Sequence, residues 1–244
     1  MNPEAYVEMA GTESRHWWFC ARRKILGSVI ETMGLPHHAR ILEVGSGTGG
    51  NLTMLSQHGN VSALEMDENA RKLSSDKTHD QFAIHAGSCP DNIPFQDERF
   101  DLICMFDVLE HIDEDVETLA ALRRYLAPGG RMLITVPAYQ WLWSAHDVFL
   151  HHKRRYTART LREAFHRSGL RIDRLTYFNT LLLPLAALAR LKDRASSRKK
   201  ASGTEIPPPF INSTLNAIFA SERHMLANFN LPAGVSLLGI VRAE

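Results

Sequence analysis

The chain is poor in cysteine. Cys20, Cys89 and Cys104 are the only three in 244 residues and include no C-x-x-C. A disulfide scaffold and a zinc ribbon are therefore not expected, and a reducing compartment is. The 12 histidines show no metal-type spacing with the cysteines, so no metal is expected. An excess of one charge is also missing. Lys plus Arg is 28 against 27 for Asp plus Glu, a net +1. A dedicated nucleic-acid binder usually needs a strong basic excess, so no nucleic-acid partner is expected. Long hydrophobic runs are absent too. The longest, Leu181 to Ala189, is broken by Pro184 and falls short of the roughly 20 residues that span a bilayer. Residues 1–30 carry Glu4, Glu8, Glu13, Arg15, Arg22, Arg23 and Lys24 with no uninterrupted apolar core. A secretory signal is not expected, and a cytoplasmic location is, with peripheral membrane contact left open.

What is present is an alternation of short β-rich runs with helical patterns. Strands are expected at Arg40–Val44, Val61–Leu64, Phe82–Ile84, Phe100–Phe106 and Arg131–Val136. Helices are expected at Leu52–His58, Asn69–Lys77 and Glu114–Leu126, the last stopped by Pro128-Gly129-Gly130. Phe100–Phe106 is nearly all apolar, which suits a strand covered on both faces. This rhythm predicts an α/β fold with an open parallel sheet and helices on both sides. Beyond it, Thr157–Ser168 reads as a capped helix, Arg171–Tyr177 as a strand, and Leu181–Leu191 and Ile211–Phe229 as helices. Val235–Val241 reads as a final strand.

The most informative stretch is Glu43-Val-Gly45-Ser46-Gly47-Thr-Gly49-Gly50. Glycines let a backbone approach a ligand closely, and the loop opens into a helix whose amides suit an anion. Gly45, Gly47 and Gly50 also satisfy the dinucleotide pattern, and Glu65 ends the next strand where ribose hydroxyls would lie. Together they indicate an adenosine-type cofactor without naming it. An NAD(P)-dependent oxidoreductase is one reading, although Glu43 stands where its fingerprint is usually apolar. A non-catalytic peripheral membrane or assembly protein on the same fold is another.

Further motifs follow in order: Gly87-Ser88-Cys89-Pro-Asp-Asn-Ile-Pro94, Phe100-Asp101-Leu-Ile103, Asp107-Val-Leu-Glu110-His111-Ile112, and Leu126-Ala-Pro-Gly-Gly130. With the glycine loop they make residues 40–137 resemble a class I S-adenosylmethionine-dependent methyltransferase of the small-molecule methyltransferase-domain type. The resemblance implies a Rossmann-like, seven-stranded, mostly parallel sheet with an antiparallel last strand, an N-terminal helix and helical insertions. It implies S-adenosylmethionine as cofactor and S-adenosylhomocysteine as product. Gly45, Ser46, Gly47 and Gly49 would lie along the methionine moiety, and Glu43 would hold its amino group. Glu65 would take the ribose hydroxyls and Met66 would pack on the adenine. Ser88 and Cys89 occupy the adenine-edge position. The family often has Asp where Ser88 stands, which weakens the expected contact to the adenine amino group. Phe106 and Asp107 would close the pocket, with His111 nearby.

One domain is expected over 1–244. It divides into an N-terminal helical cap (1–38), a cofactor-binding core (39–137), an acceptor-site loop (138–156), a helical insertion (178–230) with a linker (192–209), and the last strand (235–244). The acceptor-site loop holds Trp141, Trp143, His146, Asp147, His152, Arg154, Arg155 and Tyr156. It resembles a W-S-x-H-D…H-x-R-R-Y segment of a bacterial subset of these enzymes. One reading makes His146 or His152 (or His111) the general base and Trp143, Arg154, Arg155 and Tyr156 the acceptor-binding groups. The other makes the loop structural, its histidine and arginines paired with acids. Trp17 and Trp18 likewise read as an acceptor lid or as ordinary packing. The apolar Leu181–Leu191, followed by Arg190, Lys192, Arg194, Arg198, Lys199 and Lys200, reads as a core helix, a membrane-surface helix, a homodimer face or a cap over a lipid-like acceptor. The expected activity is transfer of a methyl group to a small or lipophilic, anionic or neutral acceptor, with oxygen or nitrogen favoured.

Overall fold

The computed structural model describes residues 3–195 and 205–244. Seven strands form one sheet: β1 (Arg40–Val44), β2 (Asn60–Glu65), β3 (Ala83–Ala86), β4 (Phe100–Phe106), β5 (Leu126–Pro137), β6 (Leu170–Phe178) and β7 (Ser236–Ala243). Nine α-helices flank it: α1 (Pro3–Thr12), α2 (Trp17–Thr32), α3 (Leu52–Leu55), α4 (Glu68–Thr78), α5 (Asp115–Arg123), α6 (Ala145–Phe149), α7 (Ala158–Arg167), α8 (Leu183–Ala195) and α9 (Pro209–Leu226), counted among the described residues. The strand order is β3-β2-β1-β4-β5-β7-β6. β1 to β5 pair in parallel, and β7 inserts antiparallel between β5 and β6. The expected sheet with its antiparallel last strand is present.

Alternation along the strands divides the core in two. Leu42, Val44, Ile103, Met105, Met132 and Ile134 pack into one cluster with Leu119 of α5 and Phe165 of α7. Ile41, Leu102, Cys104, Phe106 and Leu133 pack into the other with Ile25 of α2 and Phe219 of α9. Apart from Asp101, β4 is apolar because it feeds both clusters. Glu43 has the parity of Ile41, so its carboxylate enters the α2 side of the sheet.

Three expectations need correction. Pro128-Gly129-Gly130 does not end α5. It lies inside β5, at an irregularity in the β4–β5 register, where a Cβ on Gly130 would meet the Phe100 carbonyl at 2.7 Å. Glycine in a strand marks such a close backbone approach. The helix after the glycine loop is a single turn, and its tail closes with tighter bonds such as His58 N to the Leu55 carbonyl. Finally, α8 is not a core helix. Leu185, Leu188 and Leu191 are 54%, 64% and 61% exposed, in line with Leu181 at 45%. α8 also runs to Ala195, into the expected linker, whose residues 196–204 lie outside the described ones, together with Arg198, Lys199 and Lys200. No described helix is long and apolar enough to cross a membrane.

Candidate active site

The glycine loop leaves β1 and is pinned by the next strand. Gly45 N and Ser46 N both donate to the Leu64 carbonyl, at 2.7 and 3.2 Å. Gly45, Gly47 and Gly49 have φ of +69°, +54° and +76°, a region that penalises any Cβ. A Cβ on Gly45 would strike Val108 and one on Gly49 would strike Ser74, whereas one on Gly47 would meet open space. Gly47 is thus where the loop presents bare backbone.

Three carboxylates surround the loop. Glu43 accepts from Asn51 Nδ2 at 2.7 Å through Oε1, while its buried Oε2 has no partner. Burial pushes its pKa up to about 8 against the pull of Asn51 and Arg22. Glu65 accepts from Gly47 N at 2.8 Å and from Asp67 N at 2.9 Å, one bond to each oxygen. Each oxygen keeps a lone pair for a further donor. Glu13, at the C-terminal end of α1, accepts from Thr48 Oγ1 at 2.6 Å and pairs with Lys77. It ties α1 over the loop. The buried Ser46 Oγ also lacks a partner. An orphaned carboxylate oxygen, an orphaned hydroxyl and a bare glycine fit the amino-acid end of S-adenosylmethionine. Glu65 at the end of β2 fits its ribose. Met66 is 72% exposed, leaving its thioether free to lie on a flat ring. Ser88 forms an isolated bridge with Asn92, and burial raises the Cys89 thiol to about 12, which keeps it protonated.

At the end of β4, Asp107 takes φ +58° and pairs with the buried Arg22 of α2. The guanidinium stacks 4.6 Å from the Trp18 ring and 5.9 Å from Phe106. Burial lowers Arg22 to about 10, against the pull of Glu43 and Glu110, so it remains charged. Trp17 is bonded through its backbone to Asn212 and Asn216 and packs edge-on against Phe219. Trp17 thus ties α2 to α9, and Trp18 covers Arg22.

The 138–156 loop is organised by one carboxylate. Asp147 is fully buried and accepts from Ser144 N at 2.8 Å, capping α6. It also bonds His152 Nδ1 at 2.9 Å and Arg155 through Nε at 2.7 Å and Nη2 at 3.0 Å. Burial pushes this carboxyl up, but His152 and Arg155 outweigh it and hold it well below the usual range. Arg155 is thus used internally, with its Nη1 on the Ala138 carbonyl. Arg154 pairs with Asp115 and Asp113 and lines a surface groove of about 570 Å³ beside α7. Tyr156 is buried with its hydroxyl on Asp115 at 2.8 Å. Each of the three is thus paired with an acid of the chain, Arg155 with the buried Asp147 and Arg154 and Tyr156 with Asp115. Trp143 lies at the end of the 140–142 turn and is half-buried.

Of the candidate histidines, His111 and His152 come together, their rings 4.7 Å apart and perpendicular. His146 lies close enough to His16 to lower its pKa, after burial, and is outside that pair. Glu110 completes the pair. It is fully buried, neither of its oxygens has a hydrogen-bond partner, and burial raises it to about 8. Burial also lowers His111 to about 3. Glu110, Arg22 and Glu13 stand out only through their burial and partners in the fold, which the sequence pattern does not mark. The S-x-x-D spacing of Ser144 and Asp147 was the legible sign of a cap.

The methyltransferase-domain family matches residues 19–175, well over half of the chain. Among curated proteins, the ubiquinone/menaquinone biosynthesis C-methyltransferase UbiE of Psychromonas ingrahamii is 26% identical over 132 residues, covering 49% of this chain and 52% of that one. The chain thus spans about half the length of the curated relatives it matches. A candidate methyltransferase solved with the Haloferax volcanii Trm112 methyltransferase activator superposes with a TM-score of 0.63 at 19% identity, covering 98% of this chain and 93% of that one. An S-adenosylmethionine-dependent methyltransferase from Clostridium acetobutylicum does so with 0.57 at 12%, covering 91% and 90%. These two likenesses concern the fold, while the family match spans the glycine loop, Glu43, Glu65 and Asp107. The chain belongs to the methyltransferase-domain family, and its sheet and helices have the class I methyltransferase fold.

Proposed function

We propose that the chain methylates a small lipophilic acceptor docked beside α8. The observation that carries this is the exposed line of Leu181, Leu185, Leu188 and Leu191. α8 contacts the 140–142 turn that follows β5. There Trp141 is 47% exposed, and Tyr139 stacks between Trp141 and Tyr177 with centroids 5.7 and 5.2 Å away. Open α/β sheets take their ligands at the carboxyl ends of the strands. An apolar surface of this kind marks a place where something apolar binds. The name of the UbiE relatives, which refers to ubiquinone and menaquinone, agrees with a lipophilic acceptor.

Glu43, Ser46 and Gly47 would hold the methionine end of S-adenosylmethionine and Glu65 its ribose, with Met66, Ser88 and Cys89 toward the adenine. Bound there, the cofactor supplies a methyl group already activated on a sulfonium. The residues then have mainly to bring an acceptor atom into line, so orientation contributes much of the rate. Arg22 holds Asp107 and shields the pocket wall under Trp18. An O–H or N–H acceptor must also lose a proton. Glu110, His111 and His152 are grouped where that proton would be handled. A carbon acceptor, as in the name of the curated relatives, is the alternative.

The sequence of α8 is rich in bases, with Arg190, Lys192 and Arg194, and an apolar segment beside bases suits an acceptor presented at an anionic bilayer. The test is methyl transfer from labelled S-adenosylmethionine to phenols with and without a prenyl tail, alongside calorimetry with S-adenosylhomocysteine. Preferential labelling of the tailed phenols is expected. Equal labelling of tail-less phenols would overturn the lipophilic reading, and no cofactor binding by folded protein would overturn the site.

A further inference from the structure

We propose that Glu110, His111 and His152 form a binding site for one divalent transition-metal ion, with His152 held in place by Asp147. One ligand atom from each of the three residues lies within 4.8 Å of the others. That span suits three groups converging on a single ion, each a little over 2 Å from it. Two imidazoles and one carboxylate favour zinc or iron over magnesium, and leave coordination positions open for a ligand.

The His152 imidazole is already oriented as a ligand would be. His152 Nδ1 lies 2.9 Å from Asp147 Oδ1, which fixes the proton there and leaves the lone pair on Nε2. Nε2 is the atom that faces Glu110, 3.9 Å from Oε1. The His111 ring stands 4.7 Å from the His152 ring and perpendicular to it, while Asp147 Oδ1 keeps the Nδ1 proton of His152. Metal-ligating histidines almost always donate their second N–H to such an oxygen.

Glu110 supplies the independent reason to expect a cation. It is fully buried and both oxygens lack a hydrogen-bond partner. A carboxylate in that state requires a proton or a positive charge. The two neighbouring guanidiniums are taken: Arg22 pairs with Asp107 and Arg155 with Asp147. Glu110 is left as the carboxyl that a bound cation would hold in its ionised form. The backbone holds its place, because Lys153 N donates to the Glu110 carbonyl at 2.8 Å and so joins the two segments carrying the ligands.

This inference rests on the acceptor reading above and deepens it. An ion with open positions would bind an acceptor hydroxyl as its anion and lower the pKa of that hydroxyl. Methyl acceptors with one or two phenolic or enolic oxygens are the class that fits.

The test uses the full chain, stripped with a chelator and titrated with Zn²⁺ by competition against a chromophoric chelator. Co²⁺ serves as a spectroscopic probe. One ion per chain at micromolar Zn²⁺ is expected, with visible Co²⁺ bands of a nitrogen–oxygen site. His152→Ala and His111→Ala should abolish that binding, and Asp147→Asn should weaken it about 10–100-fold. His224→Ala, on the exposed face of α9, should leave it intact. Circular dichroism and calorimetry with S-adenosylhomocysteine establish that each variant is folded. No stoichiometric binding by folded wild-type protein, or binding unchanged in both His111→Ala and His152→Ala, overturns the site. Intact S-adenosylhomocysteine binding in that case leaves the methyltransferase assignment standing.

Discussion

Glu43 and Asn51 are joined by a 2.7 Å hydrogen bond from Nδ2 to Oε1, and the second oxygen of this buried carboxylate faces no donor. Asn51 thereby occupies one oxygen and leaves Oε2 for a further donor. The relationship explains why a carboxylate can persist in the middle of a five-residue strand whose other interior positions are apolar.

The first prediction concerns pH. The carboxyl of Glu43 is raised from 4.5 to about 8 by burial. A raised acid pKa means that the folded state holds a proton which the unfolded chain has lost. The stability contributed by Glu43 is therefore full below 4.5 and declines as pH rises toward about 8. Binding a cofactor ammonium favours the carboxylate, so it releases a proton below that pKa and tightens as pH rises. Calorimetry in buffers of different ionisation enthalpy should show proton release near neutrality. Glu43→Gln should remove the release and weaken binding roughly 10–100-fold, as expected for a hydrogen bond to a charged group.

Arg22 gives a second prediction. Its guanidinium is buried and joined to Asp107 at the end of β4. Removing one partner of a buried pair leaves the other charge uncompensated, at about 3–5 kcal/mol. Arg22→Met should lower the unfolding free energy read from urea titration by that amount. The double variant with Asp107→Asn should recover part of the loss. A strictly additive double variant would show that the two residues act separately.

The sheet was legible because strand parity and glycine punctuation are local signals. Phe100–Phe106 matched β4 to the residue, and Glu65 fell at the end of β2. Two kinds of feature were not local. Pro128-Gly129-Gly130 looks like a helix stop, yet it is absorbed by the pairing of β5 with β4. The meeting of His111 with His152 depends on where the loop after β5 folds back, so no spacing announces it. Likewise Arg155 looks like an anion receptor until Asp147 is seen against it. The apolar content of α8 was visible, but its direction was set by the turn at 140–142 that it rests on.

That exposure yields a third prediction. Leu185 and Leu188 are more than half exposed. Exposed substitutions usually change stability by less than about 0.5 kcal/mol. Leu185→Ser with Leu188→Ser should leave the melting temperature and S-adenosylhomocysteine affinity close to wild type. Turnover of lipophilic acceptors should fall several-fold through KM, with kcat retained. A loss of kcat at unchanged KM would place the leucines outside acceptor docking.

The fourth prediction joins Glu13 to Gly50. A Cβ on Gly50 would lie 2.0 Å from Glu13 Oε2, and that carboxylate is held by Thr48 and Lys77. Gly50→Ala must therefore displace it, leaving buried polar groups unsatisfied at roughly 1–3 kcal/mol. Since Glu13 ends α1, the displacement should free that helix from the glycine loop. Limited proteolysis would read this as faster cleavage around residues 12–16, and calorimetry as weaker S-adenosylhomocysteine binding. Glu13→Ala alone should give the same phenotype. The double variant should be no worse than either single one, because both changes break the same contact. Fully additive losses would mean that Gly50 acts through the backbone of the loop and not through Glu13.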